Sequence, residues 1–138
     1  MDGERQSVTR SVRVGTPVSE VWALVGDFYR MHEWHPAVES TERQKIGDEE
    51  FRLLRLADGG RILEHLIGRT THSYTYTIVR SPLPVKHYEA TIEVDTAGAG
   101  AEIRWSGSFE PTAEGAAGIV AGIYEAGLES LAERFGRA

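Results

Sequence analysis

The sequence contains no cysteine among its 138 residues. A disulfide framework, thiol chemistry and the cysteine-containing zinc sites are therefore excluded. The chain also lacks any apolar run near the roughly 18 residues that a membrane-spanning helix needs. No apolar segment follows the first five residues, MDGER. We therefore expect no secretory signal, no membrane insertion and a cytoplasmic location.

Positive charge is scarce as well, with 15 Lys and Arg residues against 21 Asp and Glu and a net charge of −6. The arginines are scattered along the chain rather than clustered. Nucleic acid is not an expected partner, because phosphate neutralisation needs clustered Lys and Arg. The hydrophobic content of 41% is typical of a globular protein, and the length predicts one domain covering residues 1–138.

The first third of the chain predicts a strand and two short helices. Apolar residues at alternate positions predict a strand over residues 6–14. A helix follows, with Thr16 as the predicted N-cap and Pro17 at the first helical position. Residues 29–35 predict a second helical turn, because the residue before Pro36 is pushed out of the helical region.

The middle of the chain predicts six further strands. Asp58-Gly59-Gly60 is a strong hairpin signal, and the prolines of the SPLP segment at 81–84 interrupt the strand ladder. The predicted strands cover residues 38–46, 51–57, 61–67, 73–80, 87–94 and 102–109.

The last segment, residues 113–137, predicts a long helix that depends on packing. Its apolar residues recur every three or four positions and form one stripe: Val120, Tyr124, Leu128, Leu131 and Phe135. Glycines at 115, 118, 122 and 127 weaken its intrinsic helicity by roughly 1 kcal/mol each. We predict an α+β fold in which a curved, seven-stranded antiparallel sheet wraps around this helix and leaves a ligand-sized cavity.

Strand alternation predicts which side chains face the helix. If the Asp58-Gly59-Gly60 loop holds three residues, Leu54 pairs with Glu64, and Glu64 then lies opposite Tyr76 on the next strand. The predicted inner face is mostly apolar with a few polar groups, namely Glu64, Arg52, Tyr74, Tyr76 and Tyr88. The opposite face of the same strands is predicted to be solvated.

Several segments form a recognisable set: TPVSEVWALVGDF (16–28), WHP (34–36), DGG (58–60) with Glu64, YTY (74–76), SPLP (81–84), Tyr88 and WSGSF (105–109). Together they resemble the polyketide cyclase/dehydrase and lipid-transport family, of the START and birch-pollen-allergen superfamily (SRPBCC type). The resemblance covers nearly the whole chain. It implies a helix-grip fold with a hydrophobic ligand-binding cavity between the sheet and the C-terminal helix, and it carries over no universal catalytic residue.

Glu64 is the main candidate catalytic residue, because a carboxylate on an apolar face is costly unless it is paired. One interpretation is structural: an ion pair with Arg52, or hydrogen bonds from tyrosines. The other is a general acid or base with a pKa raised by desolvation. Pairing with Arg52 is expected to depress the pKa of Glu64, and isolation to raise it.

Trp34 and His35 lie in the loop where such a fold places a cavity rim. Trp34 is either packed or a ligand contact, and His35 is either solvent-facing or a donor to the ligand. No metal is expected, because His32 and His35 are three residues apart, whereas the zincin motif needs histidines four apart. With no P-loop, dinucleotide fingerprint or nucleophile elbow, no cofactor is expected either.

Aromatic side chains on the inner face are suited to stacking on an aromatic ligand, although a half-buried sheet also favours them for packing alone. The candidate catalytic residues are Glu64, His35 and Tyr76. The candidate ligand-binding residues are Phe28, Trp34, Arg52, Leu54, Ile62, Tyr74, Tyr88, Trp105, Val120, Tyr124 and Leu128.

Three functions remain open at this point. The first is binding or carriage of a small hydrophobic or aromatic molecule by a monomer or homodimer. The second is a cyclase or dehydratase in which Glu64 moves protons while tyrosine or histidine partners stabilise an enolate-like oxygen. The third is a regulatory module that binds another protein.

Overall fold

A computed structural model of the chain describes residues 4–138. Met1 to Gly3, part of both the leader expectation and the predicted domain, lie outside the described residues. The elements are β1 (Gln6–Val14), α1 (Val18–Val25), a 3-10 turn (Met31–Glu33), β2 (Val38–Ile46), β3 (Glu49–Leu56), β4 (Arg61–Arg69), β5 (Ser73–Arg80), β6 (Val85–Ala97), β7 (Gly100–Pro111) and α2 (Ala116–Phe135). No helix within residues 4–138 is long and apolar enough to cross a membrane.

Within residues 4–138, the seven strands form one antiparallel sheet in the order β1-β7-β6-β5-β4-β3-β2, and the long helix α2 packs against it. The predicted α+β architecture is confirmed. The two short helices predicted between β1 and β2 are matched only roughly. α1 has eight residues, and the second is a single 3-10 turn, because Pro36 leaves no room for a longer helix.

The start of α1 differs from the prediction. Pro17 is the N-cap, with an extended backbone, and Thr16 makes no cap. The Thr16 hydroxyl instead donates to the Phe135 carbonyl over 2.8 Å. This bond satisfies a carbonyl at the end of α2 that has no partner inside its own helix, and it ties the two helices together.

The turn of the β3–β4 hairpin is displaced by one residue from the prediction. Arg55 pairs with Arg61, and the Leu56 amide donates to the Gly60 carbonyl over 2.9 Å. The three turn residues are therefore 57–59 instead of 58–60, and Arg52 lies directly opposite Glu64. The predicted pairing was wrong by two residues. Because side chains alternate with a period of two, this error leaves the same side chains on the inner face.

The β4–β5 pairing is offset in the same way. Leu66 lies opposite Tyr76, and Glu64 lies opposite Ile78 instead of Tyr76. The β4–β5 pairing is irregular between Leu66 and Gly68 and again between Leu63 and Glu64. β-bulges of this kind add a residue to one strand and are not visible in an alternating sequence pattern.

Helix α2 is three residues shorter at its start than predicted. Gly115 adopts the left-handed conformation, with φ 82°, and the helix begins after it, since such a conformation is accessible mainly to glycine. Val120, Tyr124, Leu128 and Leu131 are buried, as the predicted stripe requires. This stripe faces the sheet.

Candidate functional site

A cavity of about 80 Å³ lies between the sheet and α2, beside the β3–β4 hairpin. Its wall is almost entirely apolar, and it includes the half-buried side chains of Leu56, Ile78, Leu83 and Ile123. Small-molecule sites usually measure about 300–1,000 Å³. The predicted ligand-sized cavity is therefore not found in this conformation, because large aromatic side chains fill much of the space under the helix.

A larger depression, of about 690 Å³, lies at the start of α2, where exposed Glu4, Lys86 and Glu114 line it. The buried polar and charged side chains within residues 4–138 are His35, Arg52 and Glu64, and the depression is lined by none of them. Glu64 and His35 do line the inner cavity. The inner cavity is therefore the candidate site.

Eight of the candidate residues named from the sequence line this cavity: Glu64, His35, Tyr76, Leu54, Ile62, Tyr88, Trp105 and Val120. The other six are buried around it without lining it: Phe28, Trp34, Arg52, Tyr74, Tyr124 and Leu128. Their roles stay predictions. Sequence reasoning did not select Met31, Leu83 and Ile123 as site residues, although Ile123 lies three residues after Val120 and so shares its helix face.

Arg52 and Glu64 form a buried ion pair across strands β3 and β4. The Arg52 Nε group donates to Glu64 Oε1 over 2.7 Å. Arg52 Nη1 donates to the Phe28 carbonyl over 2.9 Å and to the Tyr74 hydroxyl over 3.2 Å. The guanidinium also lies 4.1 Å from the centroid of the Phe28 ring, a cation–π arrangement.

The pair makes Arg52 a bridge between the sheet and the loop after α1. Arg52 Nη2 finds no hydrogen-bond partner among residues 4–138. Burial raises the pKa of the Glu64 carboxyl, and the charge and hydrogen bond of Arg52 offset this only in part. The expected ion pair therefore forms and acts to lower the pKa of Glu64, but the net shift is upward, because desolvation is the larger contribution.

Three tyrosines and a tryptophan form a hydrogen-bonded cluster between the sheet and α2. Trp105 Nε1 donates to the Tyr76 hydroxyl over 3.0 Å. The Tyr76 and Tyr88 hydroxyls are 3.3 Å apart, and Tyr88 is hydrogen-bonded to Tyr124. Burial raises the pKa of Tyr76 and of Tyr88 well above the ordinary value. These hydroxyls are therefore protonated near neutral pH.

Gly107 leaves space for Tyr124, the member of this cluster that comes from α2. A methyl group at position 107 would overlap the Tyr124 hydroxyl. The Tyr124 ring also stacks on Trp105, with ring centroids 4.4 Å apart. The glycine of the SGS sequence at 106–108 thus leaves the space that the Tyr124 side chain of α2 occupies against the sheet. The sequence pattern alone does not reveal this need for a glycine.

His35 is held by the protein through both ring nitrogens. Nε2 lies 2.8 Å from the Ile123 carbonyl, so it carries the proton and donates. Nδ1 accepts from the Ala37 amide over 3.1 Å. The imidazole is therefore neutral and joins the loop to α2. The structure does not match the solvent-facing interpretation, since His35 is 2% exposed, and a role as donor to a ligand requires breaking the bond to Ile123.

We predict that His35 makes the stability of the protein pH-dependent. Burial lowers the pKa of the His35 imidazole, and the bond to Ile123 opposes this only partly. The unfolded chain, with an imidazole pKa of about 6.5, therefore takes up the proton first. As the pH falls below about 6.5, the contribution of neutral His35 to the free energy of unfolding is progressively lost.

The measurement is the urea midpoint between neutral pH and about pH 5 for wild type and His35→Gln, whose amide keeps a donor for Ile123. The variant should lose less stability on acidification than wild type. His72→Gln, at an exposed histidine, should follow the wild type. Equal slopes for wild type and His35→Gln would show that His35 is not the group responsible.

Metal ligands are not assembled at this site. No group of three or more His, Asp or Glu side chains within residues 4–138 is arranged to hold a metal ion. The polar groups that the fold does bring to the cavity are a carboxylate, phenolic hydroxyls and a neutral imidazole. These groups accept and donate hydrogen bonds or transfer protons.

Comparisons with known proteins support the fold described above and show the family. The family model described as "Polyketide cyclase / dehydrase and lipid transport" matches residues 5–136. Among curated proteins, no sequence matches the chain.

Solved structures show the same fold over nearly the full length. The protein XoxI from Bacillus cereus is 32% identical, with 94% of each chain covered and a TM-score of 0.88. An uncharacterized protein from Bacillus thuringiensis is 34% identical, with 94% of this chain and 98% of that chain covered and a TM-score of 0.87. Ara h 8.0201, at 12% identity and a TM-score of 0.74 over 96% of this chain and 98% of its own, shows the shared fold alone.

Proposed function

We propose that this chain, which belongs to the polyketide cyclase/dehydrase and lipid transport family, binds a small, largely apolar molecule in the cavity between the sheet and α2. The observation that carries the proposal is the composition of the cavity wall. It is apolar apart from a few polar groups, Glu64, Tyr76 and Tyr88 among them. An apolar pocket with a few convergent polar groups is the usual form of a small-molecule site.

Binding requires the cavity to widen, because its volume of about 80 Å³ is small for an organic ligand. Four lining side chains are half-buried and so have more room to move than the buried ones: Leu56, Ile78, Leu83 and Ile123. Leu56 lies at the end of β3, Leu83 in the proline-containing loop and Ile123 on α2. A ligand therefore enters between the hairpin, this loop and the helix.

A cavity-filling substitution tests the proposal. Val120 lines the cavity, and its neighbour Ile119 is 46% exposed on the outer side of α2. We expect wild type to bind N-phenyl-1-naphthylamine, an uncharged fluorescent probe. Val120→Phe should lower the affinity by about tenfold or more, which corresponds to roughly 1.4 kcal/mol.

The control is Ile119→Phe, which adds the same ring outside the cavity and should bind like wild type. Thermal unfolding checks that Val120→Phe folds, because overpacking costs roughly 1–3 kcal/mol. Equal affinity in wild type and both variants, or no binding to wild type, contradicts the proposal.

A second candidate function is proton transfer on the bound molecule, of the cyclase or dehydratase type. It is favoured by one observation, the raised pKa of a carboxyl group on the cavity wall, Glu64. This function requires a bound molecule to change mass or structure on incubation, and requires Glu64→Gln to stop that conversion. Gln keeps an acceptor for Arg52, so the variant separates proton transfer from loss of the fold.

A further inference from the structure

Glu64 offers one oxygen atom to the cavity. Oε1 accepts the hydrogen bond from Arg52 Nε, and Oε2 accepts none from residues 4–138. Oε2 keeps some accessible surface, since it is absent from the fully buried unpaired atoms. Glu64 as a whole is only 4% exposed. Since Glu64 lines the cavity and Arg52 does not, the polar atom available to a ligand here is a hydrogen-bond acceptor.

The tyrosine cluster supplies the matching donor. Three hydrogen bonds join Trp105, Tyr76, Tyr88 and Tyr124. These groups bring one N–H and three O–H protons, so one hydroxyl proton has no acceptor inside the cluster. Trp105 can only donate, so the spare proton belongs to a tyrosine.

The position of that proton follows from burial. The Tyr124 hydroxyl lies against Gly107 and away from the cavity wall, whereas Tyr76 and Tyr88 are on that wall. A buried O–H without an acceptor is costly. The favoured arrangement therefore has Tyr124 donating towards Tyr88 and leaves the spare proton on a hydroxyl that a ligand can reach.

The charges restrict the ligand further. The Arg52–Glu64 pair has no net charge, and each of the two side chains is at least 95% buried. A ligand carboxylate would place a second negative charge beside Glu64, and a ligand ammonium would leave a net positive charge in the interior. A neutral group avoids both costs.

We propose that the site selects an apolar molecule carrying a neutral hydroxyl group, an alcohol or a phenol, whose O–H donates to Glu64 Oε2 and whose oxygen accepts from Tyr76 or Tyr88. This assignment rests on the proposed function. It adds the ligand class, and it excludes fatty-acid anions and other carboxylates as preferred ligands.

Three matched single-ring probes test the assignment by titration calorimetry at neutral pH: 4-ethylphenol, ethylbenzene and 4-ethylbenzoate. We expect 4-ethylphenol to bind about tenfold or more tightly than either of the others, the scale of a hydrogen bond to a charged group. Ethylbenzene should bind more weakly because it leaves both polar groups unpaired, and 4-ethylbenzoate because of its charge.

Equal or tighter binding of ethylbenzene or 4-ethylbenzoate overturns the assignment while leaving the proposed cavity function standing. Failure of all three to bind, together with failure of N-phenyl-1-naphthylamine, overturns the cavity function as well. A second variant checks the acceptor. In Arg52→Met/Glu64→Leu, the preference for 4-ethylphenol over ethylbenzene should fall to about twofold or less, and a preserved preference contradicts the role of Glu64.

Discussion

Glu64→Leu and Arg52→Met are each expected to lower the free energy of unfolding by about 3–5 kcal/mol, whereas the double variant should lose only about 1–3 kcal/mol. Each single variant leaves an uncompensated charge at a position that is 4% exposed for Glu64 and 0% for Arg52. The double variant removes both charges. Its remaining cost comes from the Phe28 carbonyl and the Tyr74 hydroxyl, which lose the donor at Arg52.

Urea unfolding of the four proteins gives the coupling energy, which should be about 3 kcal/mol or more. The matched control is the pair of Arg10 and Glu125, whose side chains are 2.9 Å apart but 44% and 59% exposed. Its coupling energy should be about 1 kcal/mol or less. If the losses of unfolding free energy for the Arg52 and Glu64 variants were additive, the two charges would not stabilise each other.

Gly127→Ala is expected to destabilise the protein by about 1–3 kcal/mol, even though alanine is the better helix former. A methyl group at position 127 would lie 2.8 Å from a ring carbon of His35 and 2.9 Å from ring carbons of Trp34 and Trp105. These rings are buried and packed on one another, with 5.7 Å between the Trp34 and Trp105 centroids. They have little room to yield.

The control for this prediction is Gly122→Ala, five residues earlier on the exposed face of α2, where a methyl group meets no atom within 4 Å among residues 4–138. That variant should gain about 0.5–1 kcal/mol. Thermal or urea unfolding of both variants measures the difference. A gain in stability for Gly127→Ala would contradict the close packing of α2 on Trp34 and Trp105.

These two glycines also show where sequence reasoning stops. The helix pattern treats Gly122 and Gly127 alike, as residues that weaken helicity. Only the packing distinguishes an exposed glycine from one that lets α2 approach two tryptophans. The order of strands, the long helix and the inner-face residues could be predicted, because alternation and the apolar stripe are local signals.

Register and cavity volume depend on non-local details. A turn displaced by one residue changed the partner of Glu64 on β3 from Leu54 to Arg52. The irregular β4–β5 pairing changed its partner on β5 from Tyr76 to Ile78. The pKa of Glu64 also could not be assigned from its partner alone, because the burial that raises it is a property of the whole fold. The roles of the candidate site residues remain predictions.

The central claim is that the cavity between the sheet and α2 binds the ligand, and methyl NMR during titration with 4-ethylphenol tests it most directly. We expect the largest chemical-shift changes at Leu54, Ile62 and Val120, which line the cavity. The exposed methyl groups of Ile46 and Ile119, at 65% and 46% exposure, should change little. Changes confined to the exposed methyl groups, with Leu54, Ile62 and Val120 unaffected, would contradict the claim.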